Sequence, residues 1–221
     1  MSSKAPPVRP SSLDKSEFCR TCAKFPTGVT VVTVLDAEGS PHGLTASSFT
    51  SVSLEPPLVL ICVDLKSHTL PFLRASGFFA VNFLTSEQEA LSRCFATTSA
   101  ERFEYFCHAP YHIAATGSPI LDDVLAFIDA RIVAEYSGGD HAIFLGQVEA
   151  MGTDGKVLFL PDAQRAHSTL TEWEEYNSGN THSAHSKDAK MPLAYYRGQY
   201  RHVARDYQRP SLGAYYDEDF E

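Results

Sequence analysis

Four strand-type segments follow one another before any long helical pattern, and this succession limits the folds open to the chain. GVTVVTVL at 28–35, the first half of HGLTASSFTSVSLEPPLVLICVD at 42–64, its second half LVLICVD, and GFFAVNFL at 77–84 are rich in β-branched and aromatic residues. Gly, Pro and charged residues bound them. No βα alternation separates them, so a doubly wound parallel sheet is disfavoured and an antiparallel, closed or partly open β-barrel is expected. Neither G-x-G-x-x-G nor G-x-x-x-x-G-K-[ST] occurs, so a nucleotide would have to bind without those loops.

The 42–64 stretch is unusual inside this pattern. Between Thr45 and Ser53, six of nine side chains carry hydroxyls. Their period-2 placing predicts one extended strand with no strongly apolar face. After Pro56-Pro57, the continuous apolar run Leu58–Val63 predicts a strand buried on both faces. Hydroxyl-rich strands are often solvent-facing sheet surface. Here, however, the buried neighbour favours a groove in which small side chains let a planar ligand approach the backbone. Lys66, Ser67 and Thr69 could then hold a phosphate.

Further along, Leu13–Lys24 reads as a short helix stopped by Pro26, and a helical segment is expected around His68–Ala75. Ser86 and Glu89 have capping-box spacing for a helix ending near Phe95. Leu125–Glu135 and His141–Met151 flank SGGD as a hairpin. KVLFLP at 156–161 and PLAYYRGQY at 192–200 read as two further strands. The expected organisation is a flexible Pro/Ser arm at 1–12, one domain over 13–200, and an acidic, aromatic-containing tail over 201–221. An insertion at 162–190 carries an amphipathic helix with Trp173 and then a polar loop.

A chain of 221 residues suits one domain, and a net charge of -9 without a basic run argues against nucleic acid. No apolar run reaches the roughly 18 residues a spanning helix needs. The N-terminal residues lack a secretion-type apolar region, so a cytoplasmic protein with five reduced cysteines and no disulfide framework is expected. Cys19-Arg-Thr-Cys22 has no second pair to complete a metal site and reads as structural. His182, His185 and Asp188 read as coincidental donors in a polar loop, so no metal is expected. His141 enters an apolar strand directly after Gly-Gly-Asp. On residues alone, a substrate-binding histidine and a solvent-facing turn histidine are equally good readings.

FPTGVTVVT at 25–33, GLTASSFTSVSLEPPLV at 43–59, FFAVNFL at 78–84, GDHAIFLGQVEA at 139–150 and PLAYYRGQY at 192–200 together resemble the flavin reductase family with its FMN-binding split β-barrel fold. The likeness covers roughly residues 17–200. It implies a mainly β, antiparallel, Greek-key-like barrel with a few peripheral helices, working as a homodimer that binds FMN or FAD and takes hydride from NADH or NADPH. By that resemblance, Thr45, Ala46, Ser47 and Ser48 line the flavin, and Cys62, Val63 and Asp64 continue the wall. Ser67 and Thr69 stand near the phosphate, while Pro26, Thr27, Asn82 and Phe83 complete the site. His141 would seat the nicotinamide as the catalytic residue, with Tyr196 and Arg197 at the cofactor mouth. Supply of reduced flavin to a partner monooxygenase is the implied role; a retained FMN reducing a quinone-like acceptor, or flavin binding without turnover, are the alternatives.

Overall fold

The computed structural model describes residues 14–153, 156–159 and 190–202. The 1–12 arm, residues 162–189 of the insertion with Trp173, and the tail beyond His202 lie outside the described residues. Helix α1 (Lys15–Cys22) is capped by Asp14 and buries no side chain. The chain then enters β1 (Thr27–Gly28), β2 (Thr30–Leu35), β3 (Pro41–Ala46), β4 (Thr50–Leu54) and β5 (Pro57–Asp64). Helix α2 (Leu70–Ser76) leads through Gly77, whose φ of 74° suits glycine, into β6 (Phe78–Phe83).

Helices α3 (Glu89–Phe95) and α4 (Ala100–Phe103) follow, then the short pair β7 (Tyr111–Ile113) and β8 (Pro119–Leu121). The long hairpin β9 (Ala126–Gly138) and β10 (His141–Thr153) turns at Gly139-Asp140, and β11 (Lys156–Phe159) pairs with the end of β10. The last two strands are β12 (Leu193–Tyr196) and β13 (Gln199–His202).

One antiparallel sheet, ordered β3-β2-β6-β9-β10-β5-β4, forms the body. Its two end strands are neighbours in the chain, separated only by Ser47, Ser48 and Phe49, so the sheet must curl until its ends approach. Expected as one extended strand, the hydroxyl-rich ribbon is therefore two strands and a bend. Strand β5 is likewise buried on one face: Val59, Ile61 and Val63 point into the core, while Leu58, Leu60 and Cys62 are half-buried. The barrel interior packs those three valine and isoleucine side chains against Val32, Val34, Phe79, Val81, Phe144 and Val148, with Leu70 and Leu73 of α2 closing one side. Gly146 permits this closeness, since a Cβ there would lie 2.6 Å from the Phe79 ring.

Three other expectations change in detail. The capping box belongs to Thr85 and Gln88, one residue earlier than Ser86 and Glu89, and the first turn is 3-10 before α3 begins. PLAYYRGQY is a hairpin instead of a single closing strand. Arg197 and Gly198, with φ of 53° and 74°, turn it, and it pairs with β1 instead of the barrel. Two of the five cysteines are joined: Cys94, on α3, is bonded to Cys107 across the turn after α4, leaving Cys19, Cys22 and Cys62 free. The expectation of reduced thiols took no account of the distance between these elements once α3 and that turn pack together through Phe95 and Phe106.

Two of the fully buried polar residues, Asn82 and Asp129, tie separate elements of the body together. Asn82 donates to the Val31 carbonyl (3.1 Å) and Thr33 Oγ1 (3.0 Å) and accepts from the Leu121 amide (2.8 Å), so its amide ties β2, β6 and β8 together. Asp129 accepts from the Thr116 amide (2.8 Å) and hydroxyl, anchoring the loop before β8. Burial pushes its carboxyl up to about 6 against the pull of those donors.

A folded pKa above the unfolded value of 3.8 means that the folded chain takes up a proton between these limits. Asp129 therefore contributes most below about pH 4, and roughly 3 kcal/mol is lost as pH rises through about 6. Asp129→Asn, uncharged throughout, should gain stability relative to the parent between pH 4.5 and 7.5 in paired denaturation curves; parallel curves would contradict this. For the disulfide, the 13-residue separation corresponds to about 3 kcal/mol of loop-closure stabilisation. The Cys94→Ser/Cys107→Ser chain should melt roughly 5–10 °C lower by calorimetry. The denatured, unreduced parent should titrate with the three thiols of Cys19, Cys22 and Cys62.

Candidate functional site

The seam where the sheet ends meet is bridged by a side chain. Strand β4 pairs with β5 only as far as Thr50 opposite Leu60. Beyond that point the Ser48 hydroxyl donates to the Cys62 carbonyl (2.8 Å) and accepts from the Cys62 amide (3.1 Å), taking the place of a backbone partner. Thr45 Oγ1 donates to the Ser92 carbonyl (2.7 Å) and Thr30 Oγ1 to that of Ala46 (2.8 Å), fixing the ribbon against α3 and β2. The hydroxyls thus hold the seam open and lined with small groups.

A groove of about 1070 Å³ runs along this seam. That is at the upper end of small-ligand sites and large enough for a dinucleotide. Its floor is Leu44–Ser48 with Cys62, Asp64 and Ser67; one wall is Glu89, Arg93 and Phe95–Thr97, with Arg102 beneath; the other is Tyr195 and Gly198–Arg201 of the β12–β13 hairpin. His141 stands at the mouth, paired across the strands with Asp64. Its Nδ1 lies 2.8 Å from the Asp140 carboxylate, which that contact holds below the usual range. Nε2 is the ring nitrogen that Asp140 does not engage.

Of the residues singled out in the sequence, Thr45, Ala46, Ser47, Ser48, Cys62, Asp64, Ser67 and His141 come together on this groove. Others stand elsewhere. Val63 points into the barrel core, and Asn82 spends its amide on the three buried bonds given above. Phe83 packs edge-on against Phe49, at 4.9 Å between ring centres. Thr69 is buried behind the floor, donating to the Gly43 carbonyl at 3.3 Å. Pro26 is exposed; Thr27 pairs with Tyr195 in β1–β12; Tyr196 and Arg197 stack on each other at the hairpin turn. Burial pushes the Cys62 thiol up, which keeps it protonated and a poor nucleophile.

The groove also collects cations that the sequence did not reveal. Arg93 is held by Glu89 (2.6 Å) and lies over the Tyr200 ring (4.6 Å), while Ser92 meets the Tyr200 hydroxyl (2.8 Å). Arg102 lies in SAERFEYF, where no neighbouring residue signals burial; only folding shows it buried under the ribbon. Among the described residues no cluster of three His, Cys, Asp or Glu side chains could hold a metal, and no helix is long and apolar enough to cross a membrane. The His182–Asp188 loop lies outside the described residues.

The family model "Flavin reductase like domain" matches residues 22–204. The chain belongs to that family. A probable flavin reductase of Rhizobium meliloti (strain 1021) is 40% identical over 59% of this chain, and the match spans 41% of that longer protein. The reductase subunit HsaB of a flavin-dependent monooxygenase from Rhodococcus jostii (strain RHA1) is 31% identical over 92% of this chain and 86% of its own. Among solved structures, the NADH:FAD oxidoreductase SgcE6 of Streptomyces globisporus C-1027, in complex with NAD and FAD fragments, superimposes with a TM-score of 0.66. It is 33% identical and covers 92% of this chain and 99% of its own. The split, mainly β architecture is that of the family.

Proposed function

We propose that the protein is an NAD(P)H-dependent flavin reductase, moving a hydride from NADH or NADPH to FMN or FAD. The observation that carries this reading is the meeting of the small hydroxyl ribbon Thr45–Ser48, His141 and buried positive charge on one groove, in a chain of the flavin reductase-like family. The residues fit a flavin. Side chains of one to three heavy atoms leave room for a flat ring, and the groove holds hydroxyl donors and arginines suited to a phosphorylated side arm. When bound, a flavin supplies the electron-accepting ring, so the protein needs no strong acid or base of its own.

The chain's own residues then bind and orient. Asp140 fixes His141 through Nδ1, which presents the opposite edge of the imidazole as a hydrogen-bonding group for a carboxamide such as that of nicotinamide. Tyr195 and Tyr200 of the hairpin wall offer aromatic surface against a second planar group. A partner monooxygenase receiving the reduced flavin is part of the proposal, supported by the HsaB relative named as a reductase subunit. The proposed setting is the cytoplasm, where reduced nicotinamide nucleotides are available. A homodimer is supported by the edge strand β4, where Leu54 is 89% and Val52 50% exposed, an apolar edge that a second copy would cover.

Catalytic amounts of FMN or FAD should greatly accelerate NADH or NADPH oxidation by the purified chain; no binding of either flavin and no nucleotide consumption would end the enzyme reading. His141→Ala should lower flavin reduction roughly 10- to 100-fold while leaving flavin affinity and melting temperature nearly intact. Loss of stability with normal turnover would instead make it a turn residue. Light scattering should give about twice 24.3 kDa, and an active, flavin-loaded monomer would contradict the dimer.

A further inference from the structure

The Cys94–Cys107 bond joins the neighbours of two rings that press on the groove floor. Phe95 follows Cys94, and Phe106 precedes Cys107. The two rings pack edge to face at 5.0 Å, and a Cβ at Gly43 would lie 2.7 Å from Phe95 and 3.4 Å from Phe106. Gly43 adjoins the floor segment Leu44–Ser48, while Arg93 and Phe95–Thr97, on either side of Cys94, form one wall. Between the cysteines, Arg102 reaches the Gly43 and Thr97 carbonyls. The bond therefore closes a ring of chain whose members brace both the floor and the wall.

That ring contains an unfavourable turn. Phe106, Cys107 and His108 have φ of 49°, 54° and 51°, three left-handed residues in succession and none of them glycine. A Cβ crowds the following carbonyl in this conformation, so such residues ordinarily occur singly and persist only where their surroundings impose them. Packing of Phe106 between Phe95 and Tyr111 imposes part of it, as do the amide bonds from His108 to Tyr105 and from Ala109 to Phe106. The bond to Cys94 adds the covalent restraint. Neither cysteine is fully buried, and Ala96, Tyr105 and His108 around them are exposed, which leaves this corner open to a reductant.

We propose that Cys94–Cys107 is a reversible thiol–disulfide site, opened by a dithiol reductant, whose redox state sets how tightly the groove holds its ligand. A reductant thiolate attacks one sulfur, the Cys94–Cys107 bond breaks, and the displaced cysteine leaves as a thiolate that takes up a proton. The second thiol of the reductant attacks the mixed disulfide and releases the other cysteine. Two electrons and two protons pass to the protein, and the reductant ends as a disulfide. Exchange with the oxidised reductant runs the same steps backwards. Once reduced, the turn at Phe106–His108 loses its covalent restraint and Phe106 its fixed place against Gly43, so wall and floor loosen together.

In the proposed cytoplasmic setting a disulfide is ordinarily transient, which favours a switchable link over a permanent staple. The other cysteines offer no equivalent: Cys19 and Cys22 lie on α1, which buries no side chain, and Cys62 stands alone on the floor. The exchange site stands without the flavin-reductase reading, whereas its effect on flavin rests on that reading.

Titration of the oxidised parent with FMN, or with FAD where FMN does not bind, reads the coupling before and after reduction by dithiothreitol in the folded state. Reduction should weaken flavin binding roughly 5- to 50-fold, and oxidised dithiothreitol should restore it. Linkage requires the reverse as well. Saturating flavin should raise, by the same factor, the ratio of reduced to oxidised dithiothreitol at which half of Cys94 and Cys107 becomes open to alkylation. Cys94→Ser/Cys107→Ser should bind as weakly as the reduced parent with or without reductant, and Cys19→Ser/Cys22→Ser should respond as the parent does.

A bond that resists dithiothreitol in the folded chain, or a flavin affinity unchanged by complete reduction, would overturn the proposal and leave a structural staple. So would a response that survives in Cys94→Ser/Cys107→Ser. If that variant does not fold, the reciprocal shift in the parent decides, its presence supporting the site and its absence overturning it. If the parent binds neither flavin, the functional reading fails on its own. Amide hydrogen exchange of the oxidised and reduced parent then decides: faster exchange at both 42–46 and 94–109 on reduction supports the site, and anything less overturns it.

Discussion

The structure depends on a geometric conflict at Ser47–Phe49. Seven strands laid flat in the order β3-β2-β6-β9-β10-β5-β4 would separate the end strands by about 29 Å at the usual spacing of roughly 4.8 Å. The chain from Ala46 to Thr50 can reach only about 14 Å. Curling is the only way to satisfy both. It brings the two edges together without full pairing, because a three-residue bend cannot also serve as a ladder. Ser48 relieves the backbone of β5 at that gap by exchanging two hydrogen bonds with Cys62. The groove exists because the barrel closes through a side chain there and not through a strand.

From that seam the polar interior can be followed outward. Thr45 ties the ribbon to α3 through the Ser92 carbonyl, and Ser92 reaches the hairpin wall through Tyr200. Gly43, the next ribbon position on the same face, has no room for a Cβ because Phe95 lies 2.7 Å from where it would be, and its carbonyl receives Arg102. Phe95 in turn packs on Phe106, beside the Cys94–Cys107 bond. The loop holding Arg102 is thus bounded at both ends by a covalent link and wedged against the ribbon at its centre. A buried cation tolerates such a position only when its surroundings are held this firmly.

Much of this was legible in the sequence, and the failures share a cause. Segments with strong local pattern, such as the 141–151 strand with its glycine turn or the Leu58–Val63 run, gave strands close to the observed bounds. Ser47–Phe49 reads as strand because alternation continues straight through a bend whose cause is the distant arrangement of β3 and β4. Asn82 sits among apolar neighbours and looked like a ligand contact, yet its partners Val31, Thr33 and Leu121 come from two other strands. Arg102 and Cys94–Cys107 were hidden for the same reason: nothing within a few residues of them signals burial or pairing. The Arg197-Gly198 turn was visible in principle, since glycine after a polar residue favours a two-residue hairpin.

The two sides of the groove differ in how much change they can absorb. A larger residue at Gly43, or an apolar one at Ser48, would disturb the barrel's closure and the disulfide-bounded loop together, so the floor can drift only through coordinated replacements. The β12–β13 hairpin is anchored at its base, where buried Leu193 packs among Val29, Val31 and Leu84 and exchanges backbone hydrogen bonds with Val29 and Leu84, while its turn and outer side chains project along the rim. Substitutions at exposed Tyr195, Gln199 or Arg201 leave the barrel's core untouched. Descendants of this chain can therefore diversify what the groove admits along one rim while inheriting its floor unchanged.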